Sequence, residues 1–199
     1  MSKILVWDLP TRLFHWFFAF GLTIAFGIAF FVDDDSSLFA AHMIVGIVLA
    51  LMVFLRVLWG IVGTKYARFP SFLFTPSTVA AYLRVALMGS GERSVGHNPG
   101  SSYVIFAMMG LVVLVIATGL LVSSGNEALE ELHELSSYAL LAAIFAHIAG
   151  VIFYTVKQRD NISWSMITGM KEGAPEQSIA SSRPVVAGLF VVFIGWFSA

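Results

Sequence analysis

The five histidines are the side chains of this chain best suited to bind a metal, and two of them share one long apolar segment. His133 and His147 lie 14 residues apart in that segment. On an α-helix, 14 residues rise about 21 Å and return to within roughly 40° of the starting direction. The two imidazoles would therefore share one face, one near each side of a hydrocarbon layer about 30 Å thick. Ionisable side chains inside a membrane are costly and mark functional sites, so this spacing predicts two metal centres, one above the other.

The composition predicts a membrane protein. Of the 199 residues, 58% are hydrophobic and only 12% are charged, with a net charge of −1, whereas soluble domains carry about 25% charged residues. The nearly neutral chain offers no basic field for nucleic acid. It contains no cysteine, which excludes disulfides, thiolate-bound iron–sulfur clusters and c-type haem attachment.

Four apolar runs are long enough to cross a bilayer, at 13–32, 38–62, 102–122 and 133–156. A fifth run, 184–199, has 16 residues and is still apolar at the last residue; we expect a truncated fifth span there, with a tilted, interfacial or short anchoring helix as alternatives. A signal peptide is disfavoured for the first run, which is too long and ends in three aspartates. The prediction is an all-α membrane protein: a four-transmembrane-helix bundle (1–170), then a cytoplasmic linker and a partial fifth helix (171–199).

The charges predict an orientation. With four crossings, all 11 Lys and Arg fall on one side, while the turns near 33–35 and 127–134 carry only acids. The positive-inside rule then puts the N-terminus, the 63–101 loop and the 157–183 segment in the cytoplasm. Within that loop, 77–88 predicts an amphipathic interfacial helix with Ser77 or Thr78 as its cap and Arg84 toward water. Turns are expected at 89–91 and 96–100.

Depth sorts four histidines into two pairs: His42 with His133 in the outer half, and His15 with His147 in the inner half. Bis-imidazole ligation of a b-type haem needs one histidine from each of two helices at equal depth, and helix bundles hold cofactors between facing helices. A bare zinc site is less well supported, because zinc usually takes four ligands that include Cys or carboxylate. A proton relay would need buried acids, which the centres of the runs lack.

Other residues allow two interpretations each. Arg56 lies 14 residues after His42; it would pair with the propionates of the inner haem, or serve as a plain positive-inside anchor. His97, beside Asn98, is a capping or loop residue, or else a contact to a propionate or a quinone. Glycines in the runs would admit a flat macrocycle or simply allow close helix packing: Gly21, Gly27, Gly46 and Gly150.

Four stretches carry a family resemblance: Val6-Trp-Asp-Leu-Pro-Thr-Arg-Leu-Phe-His-Trp16, His42 followed by Arg56-Val-Leu-Trp-Gly60, Gly96-His-Asn-Pro-Gly100, and His133 followed by His147. Together they resemble the bacterial di-haem cytochrome b family, which includes the b-type cytochrome subunits of nickel–iron hydrogenases and is related to the membrane subunits of formate dehydrogenases. The resemblance covers about residues 3–170. It implies a four-helix bundle with two b haems that exchanges electrons with the quinone pool, and by motif position it implies the ligands His15, His42, His133 and His147.

We therefore predict transmembrane electron transfer through two b haems in the bacterial inner membrane. The haems would connect the quinone pool with a hydrogenase-like subunit, a c-type cytochrome or another redox protein docked at the outer acidic face. Irons with two histidine ligands each favour electron transfer over chemistry at the metal. The quinone is expected near His15, His147 and His97.

Two alternatives to this function stay open, and so does the question whether the chain is an enzyme in its own right. One is a stand-alone quinone-linked superoxide oxidase, although an acidic outer face would steer the superoxide anion poorly. The other is a haem-free membrane scaffold or transporter.

Overall fold

The computed structural model of the chain describes residues 2–33, 35–88 and 94–197. Four of its helices are long and apolar enough to cross a membrane, which confirms the predicted all-α membrane bundle. Asp34, Arg93 and the predicted turn at 89–91 lie outside the described residues. In chain order the elements are β1 (Ser2–Leu5), α1 (Leu9–Phe31), α2 (Ala40–Val62), α3 (Pro76–Met88), α4 (Pro99–Ser123), α5 (Glu130–Gln158), α6 (Ile162–Thr168), β2 (Met170–Gly173) and α7 (Pro184–Phe197).

The bundle has two chemically distinct ends. α1 begins and α2 ends at what we call the basic end, which also carries both strands and the 63–75 and 174–183 segments. α1 ends and α2 begins at the acidic end. There the described charged side chains around the turns are all acids and are exposed: Asp33, Asp35, Glu127, Glu130, Glu131 and Glu134.

Side-chain caps explain where two of the spanning helices begin. The Asp8 carboxylate accepts a hydrogen bond from the Thr11 backbone N–H at 2.9 Å. The Asn98 side chain accepts one from the Ser101 N–H at 2.8 Å. A proline lies in the first turn of each helix, where its missing N–H leaves no hydrogen bond unmade.

The spanning helices pack in sequence, α1 on α2, α2 on α4 and α4 on α5, while α7 lies against α1 and α2. A small apolar core joins them and includes Phe18, Leu49, Met52, Val112 and Leu140. α5 packs mainly on α4 and lies less closely against α1 and α2. Side chains of α5 reach the α1–α2 pair at a few places: Leu140 belongs to the core, and the Tyr138 ring lies 6.2 Å from that of Phe30 on α1.

The structure adds a two-stranded sheet at the basic end that the sequence did not predict. β1 and β2 pair antiparallel, with Ser2 opposite Gly173 and Leu5 opposite Met170. The chain after β2 stays beside the N-terminus, because the Ile179 N–H donates to the Leu5 carbonyl at 2.9 Å. The predicted boundary between 170 and 171 thus falls inside β2. Two strands of four residues are too short for an alternation that sequence reading could detect.

The two shorter predicted helices, the amphipathic α3 and the apolar α7, lie close to their predicted positions. α3 begins at Pro76, and the Thr75 hydroxyl accepts a hydrogen bond from the Thr78 N–H at 3.3 Å. Thr75, rather than Ser77 or Thr78, therefore caps this helix, and Arg84 is exposed as expected. α7 covers 14 residues.

Candidate metal centres

Two histidines face each other across the gap between α2 and α5 near the acidic end. The ring centroids of His42 and His133 lie 6.4 Å apart, and the ring planes are 86° to each other. The ring of His42 also stacks on Phe39, with 5.4 Å between centroids. The structure therefore brings together the pair that was predicted for the outer half.

Both rings are held by their Nδ1 atoms. Nδ1 of His42 lies 3.0 Å from the carbonyl oxygen of Ala25, and Nδ1 of His133 lies 3.0 Å from that of Val115. A carbonyl oxygen only accepts, so Nδ1 carries the proton in each ring and Nε2 keeps its lone pair. Histidines that bind metals are oriented by a hydrogen bond of this kind from the second ring nitrogen.

The spacing of these rings fits a single metal ion between them. A metal–imidazole bond is about 2 Å long and the nitrogen lies ~1.1 Å from the ring centre, so two opposed imidazoles on one metal have centroids about 6 Å apart. The observed separation is 6.4 Å. Gly46 lies one turn after His42, and a Cβ at that glycine would have no neighbour within 4 Å. The surface of α2 at Gly46 is therefore open beside His42.

A bare zinc site finds no support in the described ranges. Within them, no group of three or more His, Cys, Asp or Glu side chains comes together in a way that could hold a metal ion. Zinc sites in proteins use three or four such ligands. His42 and His133 would instead supply two imidazole ligands to a haem, whose macrocycle would supply the other ligands of the iron.

The second pair, His15 on α1 and His147 on α5, lies toward the basic end. The two side chains are within electrostatic range of each other. The Nδ1 atom of His15 is buried and has no hydrogen-bond partner among the described residues. Nη1 of Arg56 and Nδ1 of His97 are likewise buried and have no hydrogen-bond partner among the described residues. His97 interacts electrostatically with both Arg56 and His147.

These three unpaired atoms give the basic-end site the donors that a group with polar oxygens would bind. The large majority of buried side-chain polar atoms in proteins have a partner. Other buried atoms such as Arg12 Nε also lack one, but Arg56 and His97 interact with each other, and His147 interacts with both His97 and His15. A haem supplies two carboxylates, which match a guanidinium and imidazole N–H donors, so the residues present fit a haem at this end too.

Arg56 points into the protein instead of toward the membrane surface. Its side chain is 6% exposed, and its guanidinium lies 5.2 Å from the ring centroid of Phe69 and 6.0 Å from that of Phe14. A plain membrane anchor would extend its charge into the headgroup region. The buried position instead leaves this cation available to a group inside the bundle.

His97 lies with its ring enclosed at the basic end. Its ring packs against Phe72, with centroids 4.3 Å apart, and against Trp7 at 4.8 Å. Burial lowers the pKa of His97 to about 3, and the positive charges of Arg56 and Lys171 act in the same direction. The imidazole is therefore neutral near pH 7. The cap of α4 is Asn98, not His97.

A buried carboxylate ties the two helices of the basic end together. Asp8 is 1% exposed; besides capping α1, it accepts hydrogen bonds from Nε1 of Trp59 at 3.0 Å and from the hydroxyl of Thr64. Trp59 lies near the end of α2, and Thr64 follows it. Asp8 thus fixes the start of α1, which carries His15, against the end of α2, which carries Arg56.

Sequence reasoning missed residues that set the ring of His133. A Cβ at Gly119 would lie 2.9 Å from Cε1 of His133, so a glycine is needed on α4 for this close approach. The neighbouring Thr118 hydroxyl lies 3.1 Å from Nδ1 of His133. The only signal in the sequence was that Thr118 and Gly119 are small residues within the long apolar run of α4. The side chain that they contact depends on how α4 and α5 are aligned, and no sequence pattern indicates that alignment.

The predicted glycines divide into two groups. A Cβ at Gly21 would meet Leu49 of α2 at 2.8 Å, so this glycine serves ordinary helix packing. At the others, a Cβ would meet nothing within 4 Å: Gly27, Gly46 and Gly150. Helix packing therefore does not account for those three.

Comparison with known proteins places this arrangement in a family. The model of the family described as prokaryotic cytochrome b561 matches residues 6–169. The match includes all five histidines and Arg56. No solved structure matches the chain significantly.

Curated relatives are distant in sequence but similar in length. A protein named probable Ni/Fe-hydrogenase B-type cytochrome subunit from Rhizobium leguminosarum bv. viciae is 24% identical, over 84% of this chain and 88% of the relative. Proteins of the same name from Bradyrhizobium diazoefficiens and Rhodobacter capsulatus are 22% and 21% identical. These alignments cover 85% and 84% of this chain, and 86% and 81% of the relatives.

Proposed function

We propose that this chain, which belongs to the prokaryotic cytochrome b561 family, holds two haems. Members of this family are multi-pass membrane proteins that transfer electrons through b-type haem, and the chain has four helices able to span a membrane. His42 and His133 would bind one iron, and His15 and His147 the other. The observation that carries the proposal is the acidic-end pair: two facing imidazoles 6.4 Å apart, each with Nδ1 on a backbone carbonyl.

A b haem, when bound, supplies a one-electron centre, and the residues of this chain determine where that centre lies and what surrounds it. Two histidine ligands on each iron would favour electron transfer over chemistry on a substrate bound to the metal. The carbonyls of Ala25 and Val115 fix the orientation of the acidic-end histidines. At the basic end, Arg56 and His97 would pair with the haem carboxylates.

The quinone would bind at the basic end, in the region of His15, His147 and His97. The rings of Phe72 and Trp7 make the surroundings of His97 largely apolar. Sites for small organic ligands are mostly apolar with a few polar contacts. In a bacterial inner membrane, the positive-inside rule would place this end on the cytoplasmic side.

A redox partner would dock at the acidic end. The relatives are named as cytochrome subunits of Ni/Fe-hydrogenase, which supports a hydrogenase-like partner over a c-type cytochrome or other redox protein. The exposed acids at this end, Glu127, Glu130, Glu131 and Glu134 among them, suit a partner with a basic docking surface. They would repel superoxide, which disfavours a stand-alone superoxide oxidase.

The experiment that tests this function counts haems. We expect the full chain, purified in mild detergent, to contain two haems by pyridine haemochrome assay, with two separable b-type α bands. His133→Ala should reduce the count to one and remove one α band only. Retention of both haems in that variant would refute the ligand assignment, and a preparation from haem-replete cells without any haem would refute the function.

The partner is tested by co-purification from membranes of the source organism. A stoichiometric hydrogenase subunit would support the proposed assembly. Its dependence on the acidic end can be checked by changing Glu130 and Glu131 to Gln, which should release the partner and leave both haems in place.

A further inference from the structure

We propose that a groove at the basic end binds the phosphate headgroup of an anionic membrane lipid. The groove has a volume of about 330 Å³ and is formed by the segment after α2 and the segment before α7. This volume lies at the lower end of the range for small-molecule sites, roughly 300–1,000 Å³. The groove is separate from the histidine sites and from Arg56, none of which line it.

The charge of the groove favours an anion. Three of its lining residues are cations, Lys65, Arg68 and Arg183, and none of its lining residues is an acid. All three cations are exposed. Lys65 is held over the ring of Tyr66, with Nζ 5.2 Å from the ring centroid. Guanidinium groups form paired hydrogen bonds to phosphate oxygens, and lysine adds a point charge.

Hydrogen bonds hold the backbone on both sides of the groove, so the three cations extend from an ordered surface. On one side the Thr64 hydroxyl binds the buried carboxylate of Asp8. On the other side the Ile179 N–H donates to the Leu5 carbonyl at 2.9 Å, and the Ser182 carbonyl accepts from the Leu9 N–H at 2.8 Å. Both walls are thereby anchored to the β1–α1 junction.

The position of the groove identifies a lipid as the source of the phosphate. The membrane-spanning segment that contains α2 ends at Val62, next to Gly63 in the groove wall. The apolar helix α7 begins at Pro184, next to Arg183. The groove therefore lies where two apolar helices leave the hydrocarbon layer, at the depth of lipid headgroups.

Two further features of the chain beside the groove favour an anion there. The N-terminus of α7 carries the positive end of the helix dipole and has N–H groups without partners within the helix. Arg183 has a backbone φ of 57°, a left-handed conformation that is unfavourable for a residue with a side chain. Its N–H is bound by the Ser181 hydroxyl at 3.1 Å, so this turn is held in place beside the groove.

The test measures lipid binding to the full, haem-containing chain by native mass spectrometry. After delipidation, phosphatidylglycerol and phosphatidylcholine are added back separately. We expect phosphatidylglycerol to bind at least about tenfold more tightly, because each basic residue near an anionic lipid contributes roughly fivefold. The variant with Lys65, Arg68 and Arg183 all changed to Ala should lower that affinity by about tenfold to a hundredfold.

The chain offers a closely matched control. Arg84, Lys157 and Arg159 are exposed cations outside the groove; Nζ of Lys157 lies 5.8 Å from the ring centroid of Phe153, and Arg159 has a left-handed φ of 51°. Changing these three to Ala removes the same charge and should alter phosphatidylglycerol binding by less than about threefold.

Three results would overturn the proposal. Equal losses in the two triple variants would mean general attraction to the basic end, and unchanged binding in the groove variant would mean that lipid binds elsewhere. Displacement of the lipid by a modest excess of inorganic phosphate would identify the groove as a site for free phosphate. If the triple variant does not fold, Arg68→Ala alone, compared with Arg84→Ala, gives the same comparison with a smaller expected loss.

Discussion

Replacing Gly119 by alanine should weaken binding of the acidic-end haem and leave binding of the other haem unchanged. The added Cβ would lie 2.9 Å from Cε1 of His133, whereas carbon–carbon contacts are most favourable at about 3.5–4.0 Å. The imidazole would therefore have to retreat by at least ~0.6 Å. A retreat of that size along the Nδ1 bond would lengthen the distance to the Val115 carbonyl from 3.0 Å to about 3.6 Å, which is no longer a hydrogen bond.

The loss of this orienting bond sets the expected magnitude. Removing a partner that orients a metal ligand lowers metal affinity by about ten- to a hundredfold, or roughly 1.4–2.8 kcal/mol. The same substitution improves helix propensity by about 1 kcal/mol. Haem affinity and the thermal stability of the rest of the bundle should therefore change in opposite directions in Gly119→Ala.

The assay is haem stoichiometry together with a redox titration of each α band, and Gly110→Ala is the control. Gly110 lies on the same helix, and a Cβ there would meet nothing within 4 Å, so the control should keep both haems and both potentials. If Gly119→Ala binds the acidic-end haem with unchanged affinity and spectrum, the position of the His133 ring does not depend on this contact and the reasoning fails.

Three other predictions test separate parts of the structure. His42→Ala should abolish only the acidic-end haem and His147→Ala only the basic-end haem, as followed by the loss of one α band in each; loss of both bands in either variant would show that the sites are not independent. Asp8→Ala should destabilise the protein in detergent by about 2–4 kcal/mol, because it removes a helix cap worth about 1 kcal/mol and leaves the buried Trp59 N–H unpaired, while Asp8→Asn should cost less. In the haem-free chain the pKa of His97 is lowered from 6.5 to about 3, so below pH 6.5 the unfolded chain binds a proton that the folded chain does not. The stability of that chain should fall as the pH drops from about 6.5 toward 3, by up to ~1.4 kcal/mol per pH unit, and His97→Gln should flatten this thermal-unfolding profile.

The architecture could be predicted because its signals are local. Apolar runs of about 20 residues indicate spanning helices whatever their neighbours are, and all four predicted runs are helical in the structure. The facing of His42 and His133 followed from depth alone, since helices that cross the same layer must bring residues of equal depth to the same level. The proposed ligand pairs therefore needed only the order of the helices and the thickness of the membrane.

Other features could not be predicted because they depend on how the elements meet. The carboxylate of Asp8 could be expected to cap a helix, but its bonds to Trp59 and Thr64 require the start of α1 to lie beside the end of α2. The roles of Thr118 and Gly119 require the alignment of α4 with α5. The pairing of β1 with β2 joins residues at opposite ends of the chain, and no local pattern records such a contact.

The packing of the helices also gives a physical reason for where the cofactors would lie. α5 packs on α4 and carries both His133 and His147, so one continuous helix fixes the separation of these two histidines. α1 packs on α2, and the two helices carry His15 and His42. Asp8 links these two helices at the basic end. Each proposed iron would thus connect α5 to the α1–α2 pair, between which the helix contacts are sparser than those of α4 with α5 or of α1 with α2. A chain without haem should therefore keep the α4–α5 and α1–α2 contacts but lose the fixed distance between α5 and α1, which distance measurements between spin labels on those two helices would detect.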